Sequence, residues 1–219
     1  MQTTETRTVG WQPPPASNIF LPALAGLLLL ALTRFSNMDQ SISAFFFEPS
    51  QGNFPLRHNF ILQTLLHDWL KNAVVAFGLG LAVLAVFVTG EKRRALLFTF
   101  GAMVFASTLI ALVKKTSSIS CPYALPVFGG AGSSGGCWPS GHASVGYSLF
   151  ACYFAARWLG LNWARMLLAI ALGLGLLLTF TQTLRGEHFL SHGLWTGIFT
   201  WLINLILALI FLPRREPTQ

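Results

Sequence analysis

Charge is what this sequence has least of. Only 10% of its 219 residues are charged, and just 7 are acidic. A soluble domain of this size carries about 25% charged residues, so the ordinary soluble class is disfavoured at once. Cysteine is scarce too, with 3 in the chain, which excludes a small scaffold stapled by several disulfides. There is no lysine-rich tail and no long arginine run. The basic footprint of a nucleic-acid binder is therefore missing, and no nucleic-acid partner is expected. The start, Met1 to Ser17, is polar and holds Pro13, Pro14 and Pro15. It has neither the charged beginning nor the small-residue cleavage site of a signal peptide. The expectation is a disordered tail over residues 1–18, with the first helix as an uncleaved anchor.

Apolar residues are what is there, at 53% of the chain. They come in blocks near the length that a hydrocarbon core of about 30 Å demands of a helix. The blocks run from about Ile19 to Leu32, Asn72 to Thr89, Ala95 to Val113, Ala143 to Leu159, Met166 to Phe180 and Gly193 to Leu212. The predicted fold is all-α, a polytopic bundle of six transmembrane helices over residues 19–213, followed by a short tail over 214–219. The stretch Asn59 to Lys71 has helical spacing through Leu62, Leu65, Leu66 and Leu70 and leads into the second block. Gly173 and Gly175 in the fifth block suit close helix contacts in lipid.

With six spans, both ends of the chain share a side. That side carries Arg7, Lys92, Arg93, Arg94, Arg157, Arg165, Arg214 and Arg215, against Arg34, Arg57, Lys71, Lys114, Lys115 and Arg185 on the other. The excess of basic residues places both termini in the cytoplasm. The loops after the first, third and fifth blocks then face outward.

Those outward loops hold the chemistry. The second runs from Lys114 through a glycine-rich stretch to Pro139-Ser140-Gly141-His142. A Ser-Gly-His turn at a helix start offers free N–H groups and a positive dipole end to an anion. A nearby lysine adds a point charge for phosphate. The third holds Arg185, Glu187, His188 and His192, ionisable groups at a membrane edge. Two imidazoles and two cations are most of what phosphoryl transfer through a histidine needs.

These motifs resemble those of the type 2 phosphatidic acid phosphatases, the membrane lipid-phosphate phosphatases. That family carries a lysine, six residues and Arg-Pro; then Pro-Ser-Gly-His; then Ser-Arg, five residues, His, three residues and Asp. Pro139-Ser140-Gly141-His142 matches the second motif in full. Lys114 and Pro122 match the first in register, and His188 matches the third. The resemblance implies that His188 is the nucleophile that forms a phosphohistidine and that His142 is the general acid. It further implies that Lys114 and the Ser140–Gly141 backbone bind phosphate, with no metal and no cofactor. Three positions depart from the pattern. Cys121 and Gln182 stand where arginines are expected, and His192 stands where the aspartate that orients the nucleophile is expected. Arg185, three residues after Gln182, can share its helical face and supply a guanidinium. His192, four residues after His188, can hydrogen-bond it, with Glu187 or Asp68 as alternative carboxylates.

Cys121 and Cys137 bracket the glycine-rich loop and predict a disulfide in an oxidising compartment. It would be worth about 3 kcal/mol in the chain-entropy model. The His188–His192 spacing also suits zinc, but only His142 offers a third ligand, so no metal is expected. His67 and Asp68, and Arg57 and His58, are weaker candidates for head-group contacts. Phe45, Phe46 and Phe47 read as an interfacial aromatic cluster.

The expected function is a bacterial inner-membrane phosphatase with its site facing the periplasm. Its partners would be membrane lipids and a lipid phosphate or diphosphate, such as undecaprenyl pyrophosphate, phosphatidylglycerol phosphate, phosphatidic acid or a lipid A phosphate. The alternatives are a lipid phosphotransferase using the same site and a non-catalytic lipid or phosphate transporter.

Overall fold

The computed structural model of the chain describes residues 17–132 and 135–213. The expected tails therefore lie outside the described residues, except that Ser17 and Asn18 already belong to the first helix. The described chain is all-helical. Its only extended pairing is an isolated bridge between Glu48 and Asn53.

Among the described residues eight α-helices follow one another: α1 Ser17–Phe35, α2 Met38–Phe45, α3 Leu70–Leu84, α4 Gly90–Thr116, α5 Gly141–Tyr147, α6 Phe150–Trp158, α7 Ala164–Leu184 and α8 Leu190–Phe211. Among the described residues four of them, α1, α4, α7 and α8, are long and apolar enough to cross a membrane. Their outward faces carry large apolar side chains, such as Phe20 and Leu24 on α1 and Phe105 on α4, as lipid contact requires.

The two remaining blocks are composite. Asn59 to Lys71 forms a helical approach, but with a wide π-type turn over Ile61–Trp69 that runs straight into α3. Segments of this kind are rare and often mark functional positions. The block expected from Ala143 to Leu159 is broken at Ser148 and Leu149 into α5 and α6. Six unbroken spans are therefore not what is seen.

α7 packs on α5, α6 and α8, and α4 packs on α3, α6 and α8, while α1 lies along α8. Small residues allow the closest approaches. A Cβ on Gly175 would lie 2.2 Å from the Tyr147 ring, and one on Gly146 would lie 2.7 Å from the Gly175 nitrogen. Gly173 has open space instead, so only one of the two glycines expected to make close contacts does so.

The bundle has two distinct ends. At one, Trp201 Nε1 donates to the Asn18 carbonyl and Trp158 Nε1 donates to the Pro213 carbonyl. The start of α1 is thus tied to the middle of α8, and the end of α6 to the chain just past α8. At the other end gather the segments 46–60, 117–132, 135–140 and 185–189.

Candidate functional site

The three loops at that second end interlock into a cap. Phe54 and Phe128, both buried, meet Phe47 edge-on and are joined by Phe189. Phe46 packs edge-on against Phe180 of α7, whereas Phe45 stays exposed. The aromatic triplet is thus split, with two of its rings in the cap. Arg57 Nε pairs with Glu187 Oε1 at 3.0 Å, and its guanidinium lies 3.7 Å over the Tyr123 ring. The Tyr123 N–H donates to the Gly186 carbonyl. Tyr123, Phe54 and Phe128 carried no sequence signal, because their partners lie in other loops.

Beneath the cap, the end of α7 sets His188. Gly186 takes a left-handed turn at φ +68°, as a helix C-terminus often requires. A Cβ there would also meet the Phe54 ring at 2.4 Å. The Glu187 and His188 N–H groups both return to the Gln182 carbonyl. His188 is left only 4% exposed, with Nδ1 3.3 Å from Cys137 Sγ. Burial pushes its imidazole well below the usual value of 6.5. The nearby charges of His192, Lys114 and His142 push the same way, and a backbone hydrogen bond to Cys137 opposes them. Lys114 and His142 thus lie near enough to His188 for their charges to act on it.

Cys121 and Cys137 form the expected disulfide, with Cα atoms 5.2 Å apart. It ties the segment after Lys114 to the turn before Ser140. The Cδ of Lys114 passes Gly141 at the distance of an ordinary contact, 3.7 Å from an added Cβ. The Ser140 backbone is stapled to α8: its N–H donates to the His192 carbonyl at 3.3 Å, and its carbonyl accepts from Thr196 Oγ1 at 3.1 Å. The expected Ser140 N–H contact to phosphate is thus already used. The Gly141 and His142 N–H groups at the start of α5 remain for an anion. Ser140 Oγ is buried without a partner.

Arg185 lies near enough to His142 for its charge to act on it. Its Nε donates to the Arg57 carbonyl at 2.9 Å and its Nη1 reaches Gln182 Oε1 at 3.4 Å. Burial lowers its pKa, and Arg57 adds to this, while the carboxylates of Glu187 and Asp68 pull the other way. It remains a cation under all ordinary conditions.

Two sequence expectations are corrected. His192 does not hydrogen-bond His188. The rings stand edge-on with centroids 5.8 Å apart, and His192 Nδ1 is buried without a partner. Neither alternative carboxylate is seen on His188 either, since Glu187 pairs with Arg57 and Asp68 pairs with His67. The neighbour of His188 Nδ1 is the disulfide sulfur.

Two contributors stand out more than the sequence suggests. His67 stacks on His142 with ring centroids 3.7 Å apart, and its Nδ1 is 2.8 Å from Asp68 Oδ1. Asp39 of α2 caps the first turn of α8 by accepting from the Ser191 N–H and Oγ–H. No local pattern pointed to Asp39. His58 makes no contact with the cluster among the described hydrogen bonds and ion pairs, so it is not brought into the site.

A groove of about 880 Å³ between α4 and α8, lined by Arg93, Arg94 and Phe98, lies toward the opposite end. None of the clustered histidines lines it. The chain matches no family model, no curated protein and no solved structure.

Proposed function

We propose that this chain is a membrane lipid-phosphate phosphatase in which His188 is the nucleophile and His142 the general acid. The observation that carries this reading is the gathering of Lys114, His142, Arg185 and His188 from α4, α5 and the α7–α8 turn into one cluster, with Arg185 and His188 buried and Lys114 and His142 half-buried. Cations and imidazoles dominate there, and the nearest carboxylates are already paired. A phosphate group would supply the missing negative charge.

With Nδ1 held against Cys137, Nε2 of His188 is the nitrogen left to react. It attacks phosphorus, and the P–O bond to the lipid breaks. Lys114 and Arg185 spread the charge on the equatorial oxygens. Protonated His142 gives its proton to the departing lipid oxygen. Neutral His142 then takes a proton from water as the water oxygen attacks the phosphohistidine. The N–P bond breaks and inorganic phosphate leaves. A lipid hydroxyl in place of water would make the same site a phosphotransferase. His67, stacked on His142 and bound to Asp68, is the group placed to hold His142 in position.

In this reading the composite elements 61–84 and 141–158 are spans alongside α1, α4, α7 and α8, giving six. The end that carries Asn18 and Pro213 is cytoplasmic, in keeping with the excess of basic residues on that side. The site then opens at the periplasmic face of a bacterial inner membrane, at head-group depth.

Phosphate release from a panel of lipid phosphates and diphosphates, assayed with purified protein and no divalent metal, tests the reading. Activity in the wild type and its loss in His188→Ala and His142→Ala are expected. Binding without turnover on every lipid would favour a transporter.

A further inference from the structure

Three donor groups meet under the cap in an arrangement that phosphoryl transfer does not require. One ligand atom each from Cys137, His188 and His192 lies within 4.8 Å of the other two, and all three residues are buried. His192 Nδ1 is one of the few buried side-chain atoms without a hydrogen-bond partner, and His192 itself is 4% exposed. The His192 ring also approaches the Cys137 backbone, so one of its nitrogens lies at the cluster while Nδ1 is left unpartnered. While Cys137 is bonded to Cys121, its sulfur is a poor ligand, because soft cations take thiolates.

Reduction changes that donor set. A dithiol gives two electrons and two protons to the Cys121–Cys137 bond, leaving two thiols and an oxidised dithiol. The two cysteine Cα atoms are 5.2 Å apart, so a freed Cys121 thiol starts next to Cys137 Sγ and can join the set. Ligands on one tetrahedral zinc sit about 3.5 Å from one another, given its Zn–S and Zn–N lengths. Closing the cluster onto an ion thus asks for shifts of about an ångström, and breaking the S–S bond frees the Cys137 side chain to make them. Two thiolates with two imidazoles spaced His-x3-His form a soft tetrahedral set suited to zinc.

We propose that reduction of Cys121–Cys137 converts the floor of the site into a Cys2His2 centre for zinc or a similar soft divalent cation. Binding displaces the two thiol protons and occupies His188. The resulting block of turnover rests on the phosphohistidine reading, whereas the binding itself does not.

The test uses the full chain in detergent with cobalt(II) as an optical stand-in for zinc. The oxidised protein should show no tight uptake. After reduction with a phosphine, which leaves as its oxide, the protein should take up one equivalent per chain. The spectrum should show thiolate-to-cobalt charge transfer and tetrahedral ligand-field bands. Cys121→Ser, which frees Cys137 without a reductant, should bind more weakly but with one thiolate still in the spectrum. His192→Ala and His192→Gln, checked for native elution, should each weaken binding of the reduced protein by more than tenfold. No stoichiometric uptake on reduction, or uptake indifferent to both His192 variants, would overturn the site. In parallel, phosphate release should fall with occupancy and return with a chelator. Full occupancy with undiminished release would leave the metal site standing and overturn His188 as nucleophile.

Discussion

Cys137 Sγ sits 3.3 Å from His188 Nδ1. The disulfide that closes the glycine-rich loop is therefore also the wall against which the His188 imidazole rests. It stands beside His188 where an orienting carboxylate was expected.

Removing that wall should cost both stability and rate. Cys121→Ser in metal-free buffer should lower stability by about 3 kcal/mol, the chain-entropy value for a loop of this size. The check is a thermal or denaturant midpoint in detergent. Turnover should fall as well, because the freed Cys137 no longer holds the ring of His188. An unchanged kcat would show that the sulfur contact is incidental.

Acid should act on this site later than an ordinary histidine would suggest. His188 is held well below 6.5 by burial and by the nearby cations, so its neutral, nucleophilic form persists as pH falls through that value. The acid limb that His188 sets on kcat/KM should lie clearly below pH 6.5. Stability responds at a higher pH. The unfolded chain takes up a proton near pH 6.5 and the folded one does not, so this residue's contribution is complete above that pH and is lost as pH falls below it. A pH–rate profile and unfolding midpoints at several pH values check both signs.

Glycine substitutions in α7 should divide by position. Gly175→Ala pushes a methyl into the Tyr147 ring, at 2.2 Å, and should cost about 1–3 kcal/mol. Gly173→Ala meets nothing within 4 Å and should be neutral or slightly stabilising. Unfolding midpoints of the two variants decide the matter.

The cap's ion pair should matter little alone. Arg57 and Glu187 are each about a quarter to a third exposed, so Glu187→Gln should cost under about 1 kcal/mol. Arg57→Ala should cost more, because it also removes the guanidinium from the Tyr123 face. Asp39→Ala should cost about 1 kcal/mol, the usual loss for a helix cap. A single unfolding series would rank the three.

The four long helices, the Lys114 and His142 positions and the cysteine pairing were all legible in the sequence. Each is a local pattern: an apolar run, a motif at a helix start, or two cysteines that flank one loop. What escaped are contacts between residues far apart in the chain. The His67–His142 stack, the Asp39 cap on Ser191 and the Arg57–Glu187 pair each join different elements. No periodicity encodes them. The break at Ser148 and Leu149 was hidden for a different reason. The apolar run continues through it, and hydropathy does not register a local change of helical winding. His192 shows the limit of motif spacing. Four residues after His188 suggested a hydrogen bond, but His188 precedes the first turn of α8, so the pair does not have helical geometry.

The central claim is that phosphate passes through His188. The most direct measurement is rapid acid-free quenching of the purified protein during turnover of a lipid phosphate, followed by peptide mass spectrometry. A base-stable, acid-labile phosphoryl group on the peptide containing His188, absent from His188→Ala, is the result this account predicts. A phosphoryl group on another residue, or turnover that survives His188→Ala, would contradict it.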